Sequence, residues 1–170
     1  MIFHPIALAK LCGLFDVVAI STEDPEIAAL AAEYEVDLIA RPPDLAQDHV
    51  GTQTVMNHAC EALGLEDHDV ACCIYPCAPL LIPHDLKMGY VTLLGRPCGY
   101  VVGVGTEPLR DAGAFYWGLA QRFKSGAPLY ATTTGIVPLP EERVCDVNTT
   151  EDWAECERKY AAMYGLKAAA

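Results

Sequence analysis

Apolar residues fall along this chain in two kinds of run, short compact ones and longer ones spaced at helical intervals. Val17 to Ser21 (VVAIS), Asp37 to Ala40 (DLIA), Val70 to Tyr75 (VACCIY) and Tyr100 to Gly105 (YVVGVG) are of strand length and largely apolar. Between them lie His4 to Cys12, PEIAALAAEYE after Asp24, TQTVMNHACEALG and His84 to Leu94, which carry good helix formers. The punctuation agrees: Gly13 and Gly64 are placed to close two of these helices, and Asp24-Pro25 to open another. Thr52 is expected to cap the helix it begins. Further on, DAGAFYWG and TTGIVPLP read as strands or edges, VCDV as the last strand and Glu151 to Tyr164 as the last helix, with the closing KAAA fraying. This alternation predicts α/β architecture, a single domain over residues 1–170 whose mostly parallel sheet carries helices on both faces.

Sheets of that kind bind ligands beyond the carboxyl ends of their strands, where loops converge. The rule selects Ser21 to Asp24, Arg41 to Thr52, Tyr75 to Pro79 and Asp146 to Thr149 as one mouth. Strand periodicity in VCDVN would put Asp146 and Asn148 on the same face, as a pair of oxygen ligands. Part of that stretch also reads as helix grammar: Thr149-Thr150-Glu151-Asp152 is close to a capping box.

Composition narrows the chemistry. A net charge of −12 repels a phosphate backbone or an anionic membrane, so neither nucleic acid nor membrane is expected as a partner. Eight cysteines without a secretory leader or stapled-module spacing suggest reduced thiols and a cytoplasmic location. Cys72, Cys73 and Cys77 lack a partner set at zinc spacing, which favours packing over ligation. No apolar run approaches the ~20 residues of a membrane-spanning helix.

Five motifs occur in one order: Ile20 to Ala28 (ISTEDPEIA), Arg41 to Asp48 (RPPDLAQD), Ile74 to Leu80 (IYPCAPL), Asp111 to Gly118 (DAGAFYWG) and Arg143 to Trp153 (RVCDVNTTEDW). Together they resemble the acylneuraminate cytidylyltransferase family, the CMP-sialic acid synthetases, and within it the pseudaminic acid branch most. The resemblance runs over nearly the whole chain. It implies a Rossmann-like nucleotide-diphospho-sugar transferase fold and transfer of CMP from CTP to an acidic nine-carbon sugar, with release of pyrophosphate. Arg41, Thr52, Tyr75 and Cys77 are then expected at the nucleotide, and Asp111, Phe115 and Tyr116 at the sugar. Asp146 would be catalytic and would hold Mg²⁺ together with Asn148. Bland alternatives stand beside these roles: Arg41 as a surface cation, Tyr116 and Trp117 as core aromatics.

Three departures from the family pattern qualify the expectation. The sequence opens at the helix that follows the family's first strand and its glycine-, arginine- and lysine-rich phosphate loop, so the fold is expected in N-terminally truncated form. Only GTEPLR stands between Val104 and Asp111, where relatives carry a longer segment that supports a homodimer; dimerisation is therefore expected to be weakened. Asn148 replaces an aspartate, removing one charge from the metal's surroundings and predicting a weak or absent site without CTP. A degenerate relative that binds a nucleotide or a protein partner without turnover is the alternative reading.

Overall fold

The computed structural model describes residues 1–166, and the fraying expected of the closing KAAA lies outside them. Six α-helices and six strands are formed among the described residues, in nearly the predicted order. Helix α1 (Phe3–Cys12) ends on Gly13, whose φ of 67° lies in the left-handed region where glycine is favoured. Strand β1 (Ala19–Thr22) leads into α2 (Pro25–Glu33), opened by the Asp24 carboxylate, which accepts the N–H groups of Glu26 and Ile27 at 2.7 and 3.1 Å. Strand β2 (Asp37–Ala40) precedes α3 (Thr52–Ala62). Gly51 rather than Thr52 is the N-cap here, because the Thr52 hydroxyl is turned to the Tyr75 hydroxyl, 2.5 Å away.

The second half comprises β3 (Val70–Ile74), α4 (Pro83–Gly95), β4 (Tyr100–Thr106), β5 (Leu109–Leu119), α5 (Ala120–Lys124), β6 (Gly135–Pro138) and α6 (Thr150–Tyr164). The capping box of α6 forms as read: Asp152 N–H donates to Thr149 Oγ1 at 3.2 Å, and Thr149 N–H to Asp152 Oδ2 at 2.9 Å. VCDV is not a strand. Its first carbonyl, that of Val144, accepts instead from Lys159 of α6 at 2.7 Å, beside the Glu141 carbonyl that the same ammonium reaches at 2.9 Å.

The architecture is α/β with open sheets, as expected, but two corrections apply to the sheet. Two sheets are present instead of one: β1 and β2 pair in parallel, while β3-β5-β4-β6 form a separate four-stranded sheet. Within the latter, β5 runs antiparallel to both neighbours and β4 runs parallel to β6, so the sheet is mixed. The short GTEPLR connection explains the reversal: it is a hairpin turn, and a hairpin returns the chain antiparallel. Helices cover both faces. One core joins Leu8 of α1 and Leu86 and Leu93 of α4 to Val101, Phe115, Trp117 and Val137 of the sheet. On the other face Cys60 of α3 packs with Tyr100, Ala120 and Phe123.

Candidate functional site

Three of the four predicted corners line one cleft of about 940 Å³ between the two sheets, contributing Ser21, Arg41, Thr52, Tyr75 and Pro76. Arg41 follows β2 and turns its guanidinium onto the end of β1, where Nε–H donates to Ser21 Oγ at 3.2 Å and Nη2 to the Ser21 carbonyl. It is the one lysine or arginine among the residues lining the cleft. Thr52 opens α3 and Tyr75 follows β3, so their hydroxyl contact ties the two elements together at the rim. Burial raises the Tyr75 phenol above its ordinary range, and hydrogen bonding to Thr52 partly offsets that.

The nucleotide and sugar candidates are not separate patches. The Tyr75 ring meets Tyr116 edge-on, with centroids 5.4 Å apart. Tyr116 donates to Asp111 Oδ2, which also accepts from Tyr130, while Asp111 Oδ1 accepts the Gly113 N–H at 3.0 Å. Thr52, Tyr75, Tyr116, Asp111 and Tyr130 thus form one polar and aromatic chain. Burial, followed by the hydrogen bond to Asp111, pushes the Tyr116 phenol far up, so it stays a donor throughout the neutral range. Sequence reading missed Tyr130 because it lies in an irregular stretch without periodicity.

Phe115 does not reach this chain of groups. Successive side chains of a strand point to opposite faces, so Phe115 goes into the core beside Gly103 and Gly89 while Tyr116 faces the other way. Its relative exposure is 0%, which removes it from the sugar-lining set.

The fourth corner, Asp146 to Thr149, is not among the cleft's lining residues and meets β5 at Gly113 instead. Gly113 has φ of 56°, and a side chain there would put its Cβ 2.5 Å from Asp146 Oδ1. A carboxylate can rest there only because the strand carries glycine. Cys77 is close enough to Asp146 for that charge, after burial, to raise the thiol's pKa. Asn148 is exposed, and its backbone N–H donates to Asp152 Oδ2 at 3.1 Å. No three of His, Cys, Asp and Glu stand together as a metal site among the described residues. Of the two oxygen ligands read from VCDVN, only Asp146 carries a carboxylate.

A family profile described as Cytidylyltransferase matches residues 1–103. The chain belongs to this cytidylyltransferase family. Among similar proteins are two pseudaminic acid cytidylyltransferases of Campylobacter jejuni, from serotypes O:2 and O:23/36, at 24% and 23% identity over 188 residues. Each match covers 89% of this cytidylyltransferase-family chain and 81% of the relative. A Helicobacter pylori protein named pseudaminic acid cytidylyltransferase and UDP-2,4-diacetamido-2,4,6-trideoxy-beta-L-altropyranose hydrolase is 29% identical over 180 residues, 86% of this chain and 35% of that longer protein.

Proposed function

We propose that this cytidylyltransferase-family chain transfers CMP from CTP to a nonulosonic acid, with pseudaminic acid as the preferred acceptor and pyrophosphate as the second product. What carries the reading is the convergence of Arg41, Thr52 and Tyr75 on one cleft in a chain whose family profile and curated relatives are cytidylyltransferases. In this reading Arg41 and the Thr52–Tyr75 pair orient the nucleotide, and Cys77 contributes packing beside it. Tyr116, backed by Asp111 and Tyr130, offers a fixed hydroxyl on the sugar side. Asp146, seated over Gly113, and Asn148 would hold Mg²⁺, which when bound neutralises phosphate charge as the acceptor oxygen attacks the α-phosphorus. The protein's own contribution is then positioning, because charge on transferring phosphoryl groups is stabilised mostly by preplaced groups.

One observation favours a second reading, binding without turnover. The cleft presents a single guanidinium already engaged on Ser21, against a triphosphate and a net charge of −12. Pyrophosphate release measured with CTP, Mg²⁺ and pseudaminic or N-acetylneuraminic acid separates the two. Acceptor-dependent release that Arg41→Met abolishes supports transfer. CTP binding by calorimetry with no release under any acceptor supports the binding-only protein, and absence of both overturns the nucleotide reading.

A further inference from the structure

One stripe of α6 is given over to the stretch that carries Asp146. Asp152, Cys156 and Lys159 stand at i, i+4 and i+7 of that helix, which puts all three on one face. Lys159 Nζ donates to the carbonyls of Glu141 and Val144 at 2.9 and 2.7 Å. Cys156, 2% exposed, has its thiol in hydrogen-bonding contact with that of Cys145. Asp152 Oδ2 accepts the N–H groups of Asn148 and Thr149 at 3.1 and 2.9 Å. A single helix therefore holds main chain on both sides of Asp146, at Val144 before it and at Asn148 after it.

The Asp146 carboxylate is delivered to a narrow seat. A Cβ on Gly113 of β5 would stand 2.5 Å from its Oδ1, so a small shift of the segment would unseat it. No ladder steadies the delivering chain, because VCDV forms no strand. The Lys159 ammonium does that work at the upstream end: its side chain is 22% exposed, and a charged donor makes hydrogen bonds roughly twice as strong as a neutral one. Glu155 Oε1 lies 3.6 Å from the ammonium and Glu155 also pairs with Arg158, so loss of the lysine strands no carboxylate.

We propose that Lys159 is a positioning residue for Asp146: by fixing the main chain from Glu141 to Val144, it keeps the carboxylate seated over Gly113, where the proposed reaction has it meet Mg²⁺. The metal half of the inference rests on that proposed role, and the seating of Asp146 does not. Lys159→Met keeps the stem and removes the donors. In ¹H–¹⁵N spectra its Gly113 amide resonance should move in the direction set by Asp146→Ala, and Lys159→Arg, which restores donors, should bring it back toward wild type. Lys124→Met, which removes another ammonium bonded to a carbonyl, that of Leu65 at 2.6 Å, should leave Gly113 unmoved. With CTP present, Mn²⁺ binding followed by electron paramagnetic resonance should weaken roughly tenfold in Lys159→Met and recover in Lys159→Arg, the loss expected when a group that orients a ligating carboxylate is removed. Lys159→Gln, which retains one donor group, serves if Lys159→Met does not fold. An unmoved Gly113 resonance, an equal movement in Lys124→Met, or Mn²⁺ binding that wild type and Lys159→Met share would overturn the proposal. Wild type that binds no Mn²⁺ with CTP refutes instead the metal role in the proposed function, and the resonance arm still decides the seating of Asp146.

Discussion

Asp85, the third residue of α4, has two tasks at 3% exposure. Its Oδ2 accepts the Ile82 N–H at 2.9 Å, and its two oxygens receive both terminal nitrogens of Arg143, with Nη2 to Oδ1 at 3.1 Å. The Arg143 side chain is itself only 15% exposed. Asp85→Ala therefore leaves a largely buried guanidinium without its counter-charge, a loss of about 3–5 kcal/mol, within which the lost helix cap accounts for about 1 kcal/mol. At about 2–4 °C per kcal/mol for a chain of this size, Tm should fall by roughly 6–20 °C. The double variant Asp85→Leu with Arg143→Met removes both charges together, so neither is stranded. It should recover all but about 1–2 kcal/mol, because the attraction within a buried pair is largely offset by its desolvation cost. Urea titration of the wild type, Asp85→Ala, Arg143→Met and the double variant, followed by circular dichroism, supplies the numbers. The reasoning fails if Asp85→Ala costs less than about 1 kcal/mol, or if the double variant is less stable than either single one.

Three other outcomes are expected. Gly113→Ala places a side chain at φ of 56° and 2.5 Å from Asp146 Oδ1, costing about 1–2 kcal/mol of stability and displacing the carboxylate; pyrophosphate release should fall much further than Tm implies, and unchanged release would count against a role for Asp146. The Glu141 carboxyl is held down to about 2, first by the Arg110 side chain and then by the amides of Glu107 and Thr106. Because its folded pKa lies below the ordinary 4.5, the stabilisation is complete above that pH and is lost as pH falls toward 2, so the stability gap between wild type and Glu141→Gln should close across that window in acid titration. Burial pushes the thiols of Cys73 and Cys156 up to about 12, and mass-spectrometric mapping after alkylation of the native protein near pH 8 should find both unmodified; early labelling of either would contradict the packing.

Local grammar was legible wherever one residue does one job nearby. Gly13, Asp24 and the Thr149–Asp152 box behave as their types require, because caps are settled within four residues. Thr52 departs from that grammar because a distant hydroxyl, Tyr75, competes for its side chain. The strand expected in VCDV met the same kind of competition, with Lys159 of α6 taking the Val144 carbonyl at its start. For Phe115 and Tyr116, which sit side by side in DAGAFYWG, motif resemblance grouped what the pleat separates. Strand direction was the least visible feature, since residues of β5 are apolar in the same way whichever way the chain runs, and only the brevity of GTEPLR points to a reversal.

The comb of β5 has an evolutionary corollary. Phe115 and Trp117 answer to the core beneath α4 while Tyr116, between them, answers to Tyr75 and Asp111 on the opposite face, so neighbouring codons are under unlike constraints. A deletion of one residue in this stretch would exchange those duties, putting a phenol among aliphatics and an indole where a hydroxyl is needed. Substitution at every second position of this strand can therefore alter the Tyr75–Tyr116–Asp111 chain while leaving the interior alone, whereas a change in length disturbs both.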